Sequence, residues 1–180
     1  GAEIVNDVSA LRHDPAAAAV LAGSEAGVIL MHMRGDDPRS MQQGIRYDDV
    51  ALEVAEFLAA RIAWAEQRGI ARGRIAVDPG LGFGKRTPHN LALLDRLPLL
   101  AGLGCQLVLG ASRKRFIGEI SGVGAAGRRA AGSLGAALAG AARGATILRV
   151  HDVAETVQAL AVWTAAAQGE PAEEIAEGTA

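Results

Sequence analysis

Three stretches place charged or polar side chains one step beyond an apolar run. In "VDPGLGFGK" (77–85) Asp78 closes such a run and opens a turn holding three glycines and Lys85. A phosphate-binding P-loop would need glycine five positions before the Gly-Lys pair and Ser or Thr after it; here those places hold Pro79 and Arg86. The glycines at 80, 82 and 84 also miss the dinucleotide pattern, since no helix opens inside them. What remains is a strand-end carboxylate. It could accept two hydrogen bonds from an amidine-like edge, such as the amino and ring N–H groups of a pterin or guanine. It equally fits an aspartate that caps a tight turn.

"TILRVH" (146–151) alternates as a strand does, so Ile147, Arg149 and His151 fall on one side and Thr146, Leu148 and Val150 on the other. A guanidinium fork and an imidazole on one face suit a phosphate or pyrophosphate. An exposed pair at a strand end has the same spacing. The following Asp152-Val153-Ala154-Glu155 resembles a capping box, whose helix would add its N-terminal amides to the positive field. In "LGASRKRFIG" (109–118) small residues lead to Ser112 and Lys114, where a lysine could bind a ligand carbonyl or neutralise developing negative charge. Arg113 and Arg115 flank it, and at least one of the three cations must be merely surface. His13, His32 and His89 have no zinc-site spacing, so no metal site is expected from this chain's own residues. Met31, Met33 and Phe83 would line an apolar pocket, with at least one methionine in the core.

The elements that must carry these residues alternate between strand length and helix length. Strands are expected at 2–6, 27–33, 74–78, 106–112 and 146–151. Asp14-Pro15 opens an alanine-rich helix to about Ala26, and a second helix runs over 49–68, with Val50, Val54, Phe57 and Leu58 on one face and Gly69 as its stop. Thr87-Pro88 caps a third, carrying Leu91, Leu94 and Leu97. Alternation of this kind implies parallel crossovers and the α/β class. A doubly wound sheet and a (β/α)8 TIM barrel both place ligand residues at strand carboxyl ends, and contributions from several strands favour the barrel. About five strand-helix units are present, whereas a closed barrel has eight and typically about 250 residues. The expectation is a partial barrel, holding roughly the last five units with the first three missing.

A chain of 180 residues, half of them hydrophobic, supports one domain, expected over 1–168, followed by an acidic tail (169–180) expected to be disordered. The formal charge is −2 and aromatics are 3%, which argues against nucleic-acid binding. The single Cys105 makes no internal disulfide and no apolar span has membrane length, so a cytoplasmic, membrane-free setting and a small-molecule partner are expected.

Five collinear segments together resemble the dihydropteroate synthases: "IVNDVSAL" (4–11), "LMHMRGDDPRSMQ" (30–42), "DPGLGFGK" (78–85) with Asn90 downstream, "GASRKRFIG" (110–118) and "LRVHDVAETV" (148–157). The resemblance implies a TIM barrel that joins 4-aminobenzoate to a hydroxymethyl-dihydropterin pyrophosphate in folate biosynthesis, with sulfonamides competing for the aminobenzoate site. By motif, Asn6 and Asp78 would hold the pterin with Met31 beside it. Lys114 would bind the pterin carbonyl and border the aminobenzoate site, which Ser112 and Phe83 also line, and Arg149 and His151 would bind the pyrophosphate. Mg2+ is implied as cofactor, with its ligand in the missing N-terminal part, and so is a homodimer of the intact protein. This chain alone is expected to be inactive. Two other readings fit parts of the pattern: the pterin-binding domain of a corrinoid-dependent methyltransferase, which should lack the "SRK" and "RVHDV" pair, and a non-catalytic paralogue or remnant.

Overall fold

A computed structural model of the chain describes residues 1–35 and 39–169; residues 36–38 of the "RGDDPRS" loop and 170–180 of the acidic tail lie outside it. Five strands, β1 (Ile4–Asp7), β2 (Gly27–Met31), β3 (Ile75–Asp78), β4 (Gln106–Leu109) and β5 (Ile147–Leu148), pair in parallel in the order of the chain. A doubly wound sheet reverses its order at a switch point. This one never does, so successive crossovers build a half-barrel with helices on one side.

The two faces of the sheet differ accordingly. Val28, Leu30, Ile75, Val77, Leu107 and Leu109 join the helices in one continuous core. The opposite face holds only the small cluster Ile29, Ala76 and Val108. Register extends that inner face to Ile4 on β1 and Ile147 on β5, which are 60% and 37% exposed.

Helices α1 (Ala17–Ala22), α2 (Val50–Glu66), α3 (Thr87–Asp95), α4 (Leu97–Ala101), α5 (Arg115–Ser121), α6 (Ala130–Ala141) and α7 (Val153–Gln168) follow the strands. α2 begins where Asp49 Oδ1 accepts the N–H groups of Ala51 and Leu52, and it buries Val50, Val54, Leu58 and Ile62 on one stripe. No helix among the described residues is long and apolar enough to cross a membrane.

Four local expectations need correction. α1 ends at Ala22 rather than near Ala26, because Gly23 takes its C-cap and Ser24 turns the chain. The third helix is two: Pro98 has no N–H to give, and the chain breaks at Arg96 between α3 and α4. Thr87 is inside α3 and bonds Glu119, and the buried leucines are Leu93, Leu94, Leu97 and Leu100, with Leu91 left 45% exposed. β5 has only two residues, so Arg149 and His151 lie on a loop beyond it, and Asp152 does not cap α7 with its side chain.

Candidate active site

Each strand's inner row continues by period two toward its carboxyl end. Met31 follows Ile29, Asp78 follows Ala76, Gly110 follows Val108 and Arg149 follows Ile147; Met31 and Asp78 are directly in register. Asn6 is level with Ile29, one layer lower, and exposed on β1. Gly110 leaves this row open beneath a cation: a Cβ there would stand 3.2 Å from Arg149 Nη2, a tight contact at the end of a flexible side chain. Arg149 lies close enough for its charge to act on Asp78.

Asp78 is 3% exposed, and its carboxylate accepts the Gly80 N–H at 2.7 Å. Burial pushes its pKa up, opposed by the Gly80 N–H and by the charges of Lys114, Arg149 and Lys85. The loop behind it is tightly built. Gly80 has φ +65°, and a Cβ there would sit 1.9 Å from the carbonyl oxygen of His32, so no other residue fits. Phe83 N–H donates to Gly80 O at 3.0 Å, and Asn90 Oδ1 accepts the Gly82 N–H at 2.8 Å. Met31 is buried directly under Gly80 rather than facing open space.

Lys85 is the residue that sequence reasoning missed. Its Nζ is buried and donates to His32 Nδ1 at 2.8 Å and to the carbonyls of Gly80 and Phe83, each at 3.1 Å. Burial lowers its pKa to about 7 against the attraction of Asp78. His32 is driven down to about 3 by burial, then by Lys85 and Arg12, so it stands neutral and accepts at Nδ1. A lysine closing a run of crowded carbonyls was the available signal; its histidine partner, 53 residues away, had none.

The three cations of the "SRK" stretch are sorted by geometry. Arg115 is exposed and pairs with Glu119 one turn along α5. Arg113 pairs with Asp152 at 2.5 Å. Lys114 turns toward β3, donating to Leu81 O and standing 4.9 Å from the centre of the Phe83 ring. Its pKa falls to about 8, through burial and the charge of Arg149, against Asp78. Ser112 Oγ lies 2.9 Å from His151 Nδ1. Lys114 borders two cavities. One, of about 560 Å³, is lined by Ser112, Arg149 and His151. The other, of about 800 Å³, is lined by Gly82, Phe83, Asn90 and Phe116. Ser112, Lys114, Arg149 and His151 therefore share one cavity, Phe83 lies across Lys114 in the other, and Asp78 is buried behind them within reach of the charges of Lys114 and Arg149, while Asn6 stands apart at the edge strand and Met31 is covered. Among the described residues no three His, Cys, Asp or Glu side chains group as a metal site.

The sequence model describing the pterin binding enzymes matches residues 1–151. This chain belongs to the pterin binding enzyme family. Within that family it is 48% identical over 168 residues to the dihydropteroate synthase of Neisseria meningitidis serogroup B, covering 92% of this chain and 59% of that protein. Among solved structures, dihydropteroate synthase from Xanthomonas albilineans in complex with 7,8-dihydropteroate superposes with a TM-score of 0.86 at 48% identity, over 95% of this chain and 63% of that one. The Yersinia pestis enzyme with a sulfonamide drug gives 0.88 at 36% identity, over 94% and 61%. The chain thus spans less than two thirds of the length of these pterin binding enzymes.

Proposed function

We propose that the intact protein is a dihydropteroate synthase, condensing (7,8-dihydropterin-6-yl)methyl diphosphate with 4-aminobenzoate to give 7,8-dihydropteroate and diphosphate. The observation that carries this reading is the position of Lys114 between two cavities, one bordered by Phe83 and the other by Arg149 and His151. A condensation of an aromatic amine with a diphosphate ester needs that arrangement. Asp78, as carboxylate, accepts the amino and ring N–H groups of the pterin; Met31, covered beneath Gly80, backs the site from β2, and Asn6 stands one layer lower on β1. Lys114 donates to the pterin carbonyl. The methylene–oxygen bond breaks with its electron pair going to the diphosphate, and Arg149 and His151 stabilise the charge that develops there. The aniline nitrogen then bonds the methylene carbon and gives up a proton. Phe83 lines the aminobenzoate side, where sulfonamides compete, and Ser112, which lines the cavity of Arg149 and His151, meets that side only across Lys114. No step above is routed through Mg2+.

The 180-residue chain by itself is inactive in this reading, because a half-barrel leaves the edges of β1 and β5 unpaired and Ile4 and Ile147 exposed. The intact protein acts in the cytoplasm as a homodimer, in keeping with one unpaired cysteine and with Val153, Val157 and Val162 exposed along α7. The test is to supply both substrates to the full-length protein and measure dihydropteroate and diphosphate, expected in equal amounts. Arg149→Ala should raise the KM for the pterin diphosphate at least about tenfold. Absence of product, or an unchanged KM in the variant, counts against the assignment.

A further inference from the structure

The ladder between β4 and β5 has two registered pairs, Val108 with Ile147 and Leu109 with Leu148. Past it the two loops stay together through a different kind of contact. Arg149 N–H donates to Leu109 O at 3.0 Å, and side chains then take over at successive positions. Ser112 Oγ accepts the His151 N–H at 3.2 Å and meets His151 Nδ1 at 2.9 Å. One residue on, the Arg113 guanidinium forks onto the Asp152 carboxylate, Nη2 to Oδ1 at 2.5 Å and Nε to Oδ2 at 3.2 Å.

Arg113 holds this place against its own preference. Its φ is +58°, in the left-handed region where a long side chain is strained. Further bonds keep it there: its N–H donates to Ser133 Oγ at 2.9 Å, and its carbonyl accepts from Arg129 Nη1 at 2.9 Å. Ser133 is itself tied to Arg129 O at 2.7 Å. Asp152 stands at the N-cap of α7, where a carboxylate would ordinarily accept the helix's own N–H groups, yet its side chain caps nothing and is given wholly to Arg113. Strain on one partner and a forgone cap on the other are both costs borne where this one ion pair forms.

We infer that Ser112, Arg113 and Asp152 are positioning residues that clasp the β4 and β5 loops together and present His151 to a diphosphate group in the cavity of about 560 Å³. The identity of the anion rests on the function proposed above; the clasp itself does not. Ser112 Oγ accepts the backbone N–H of His151 and keeps its own proton to donate, and the clasp assigns that donor to Nδ1 of the neutral ring. That leaves the ring proton on Nε2, a donor matched to a phosphate oxygen. When the ring is protonated, Nδ1–H donates to Oγ instead and the ring keeps its place. The Arg113–Asp152 pair fixes the backbone on both sides of the site, since Lys114 follows Arg113 and His151 precedes Asp152.

The experiment uses the full-length protein, inorganic diphosphate as probe, and the variants Asp152→Asn, Arg113→Lys and Ser112→Ala. Asp152→Asn should raise the Kd for diphosphate by on the order of tenfold while the melting temperature moves only slightly, and Arg113→Lys, which keeps the charge and loses the fork, should fall between. In the ligand-free protein, the ¹⁵N shifts of the His151 ring should report the Nε2–H tautomer in the parent and a mixture in Ser112→Ala. A general loss of structure would lower the active fraction and leave the Kd of what remains unchanged. Unaltered Kd in the two ion-pair variants, together with unaltered ring shifts in Ser112→Ala, overturns the clasp. Should the parent protein bind no diphosphate, the assigned function fails, and the ring shifts in all three variants still decide the clasp. If Asp152→Asn does not fold, Arg113→Lys carries the comparison.

Discussion

In the loop after β3, groups within the loop and the helix it enters supply many of the bonds that fix it, through Gly80, Phe83, Lys85 and Asn90, and Gln42, Tyr47 and Lys114 donate to further carbonyls from outside. In the loop after β5 the fixing groups, Ser112 and Arg113, belong to the loop of the neighbouring strand. The first loop is buried and the second open, which accounts for the difference. A buried loop must satisfy its carbonyls from nearby donors, whereas a loop at the end of a two-residue strand has little backbone pairing of its own. Damage to the first should therefore appear as lost stability, and damage to the second as lost binding.

The largest effect is expected at Gly80. Gly80→Ala places a Cβ against the His32 carbonyl in a left-handed backbone, and should cost more than about 4 kcal/mol or abolish folding, as read from urea denaturation. Lys85→Met keeps the bulk but leaves His32 Nδ1 and two loop carbonyls without their donor. A loss of about 3 kcal/mol in the same measurement is expected. A fall below about 1 kcal/mol would show that the loop does not depend on its lysine.

Acid sensitivity tests the same loop with a smaller signal. The folded pKa of His32 lies near 3 and its ordinary value is 6.5. Between those limits the unfolded chain binds a proton that the folded chain refuses, so stability falls as pH falls through that window, by up to about 1.4 kcal/mol per pH unit. His32→Gln should flatten that limb of the stability profile. On the alkaline side Lys85, lowered to about 7, acts with the same sign: stability rises as pH rises from about 7 toward 10.5, and Lys85→Met should remove the rise. The smallest effect on stability belongs to Asp152→Asn, where a partly exposed ion pair is expected to contribute under about 1 kcal/mol. A larger loss there would erase the contrast between the loops.

What could be read from the sequence follows the same division. Asp78, Lys114, Arg149 and His151 were legible because each follows an apolar run within a few residues, and period two relates them to their strands. The α/β class was legible for the same reason, although only the strand order separated a barrel from a doubly wound sheet. The motif resemblance anticipated the family that the comparisons show. Pairings between distant residues were hidden. Lys85 with His32 and Arg113 with Asp152 are 53 and 39 residues apart, and no local pattern reports a contact at that range. The "TILRVH" segment misled because alternation describes side-chain direction, whereas a strand also needs a backbone partner: β4 registers with two of its residues, and the backbone bonds to β4 end at Arg149 N–H to Leu109 O. Asp152 misled similarly, since a capping box presumes a carboxylate without a competing guanidinium.

Lys114 borders both cavities, and this shapes how the site can evolve. A substitution there, or one that shifts the Leu81 carbonyl it binds, would alter both cavities at once. Variation that alters one cavity while sparing the other must therefore fall at residues that line a single cavity, such as Phe83 or Phe116, and Lys114 should be among the last positions to change.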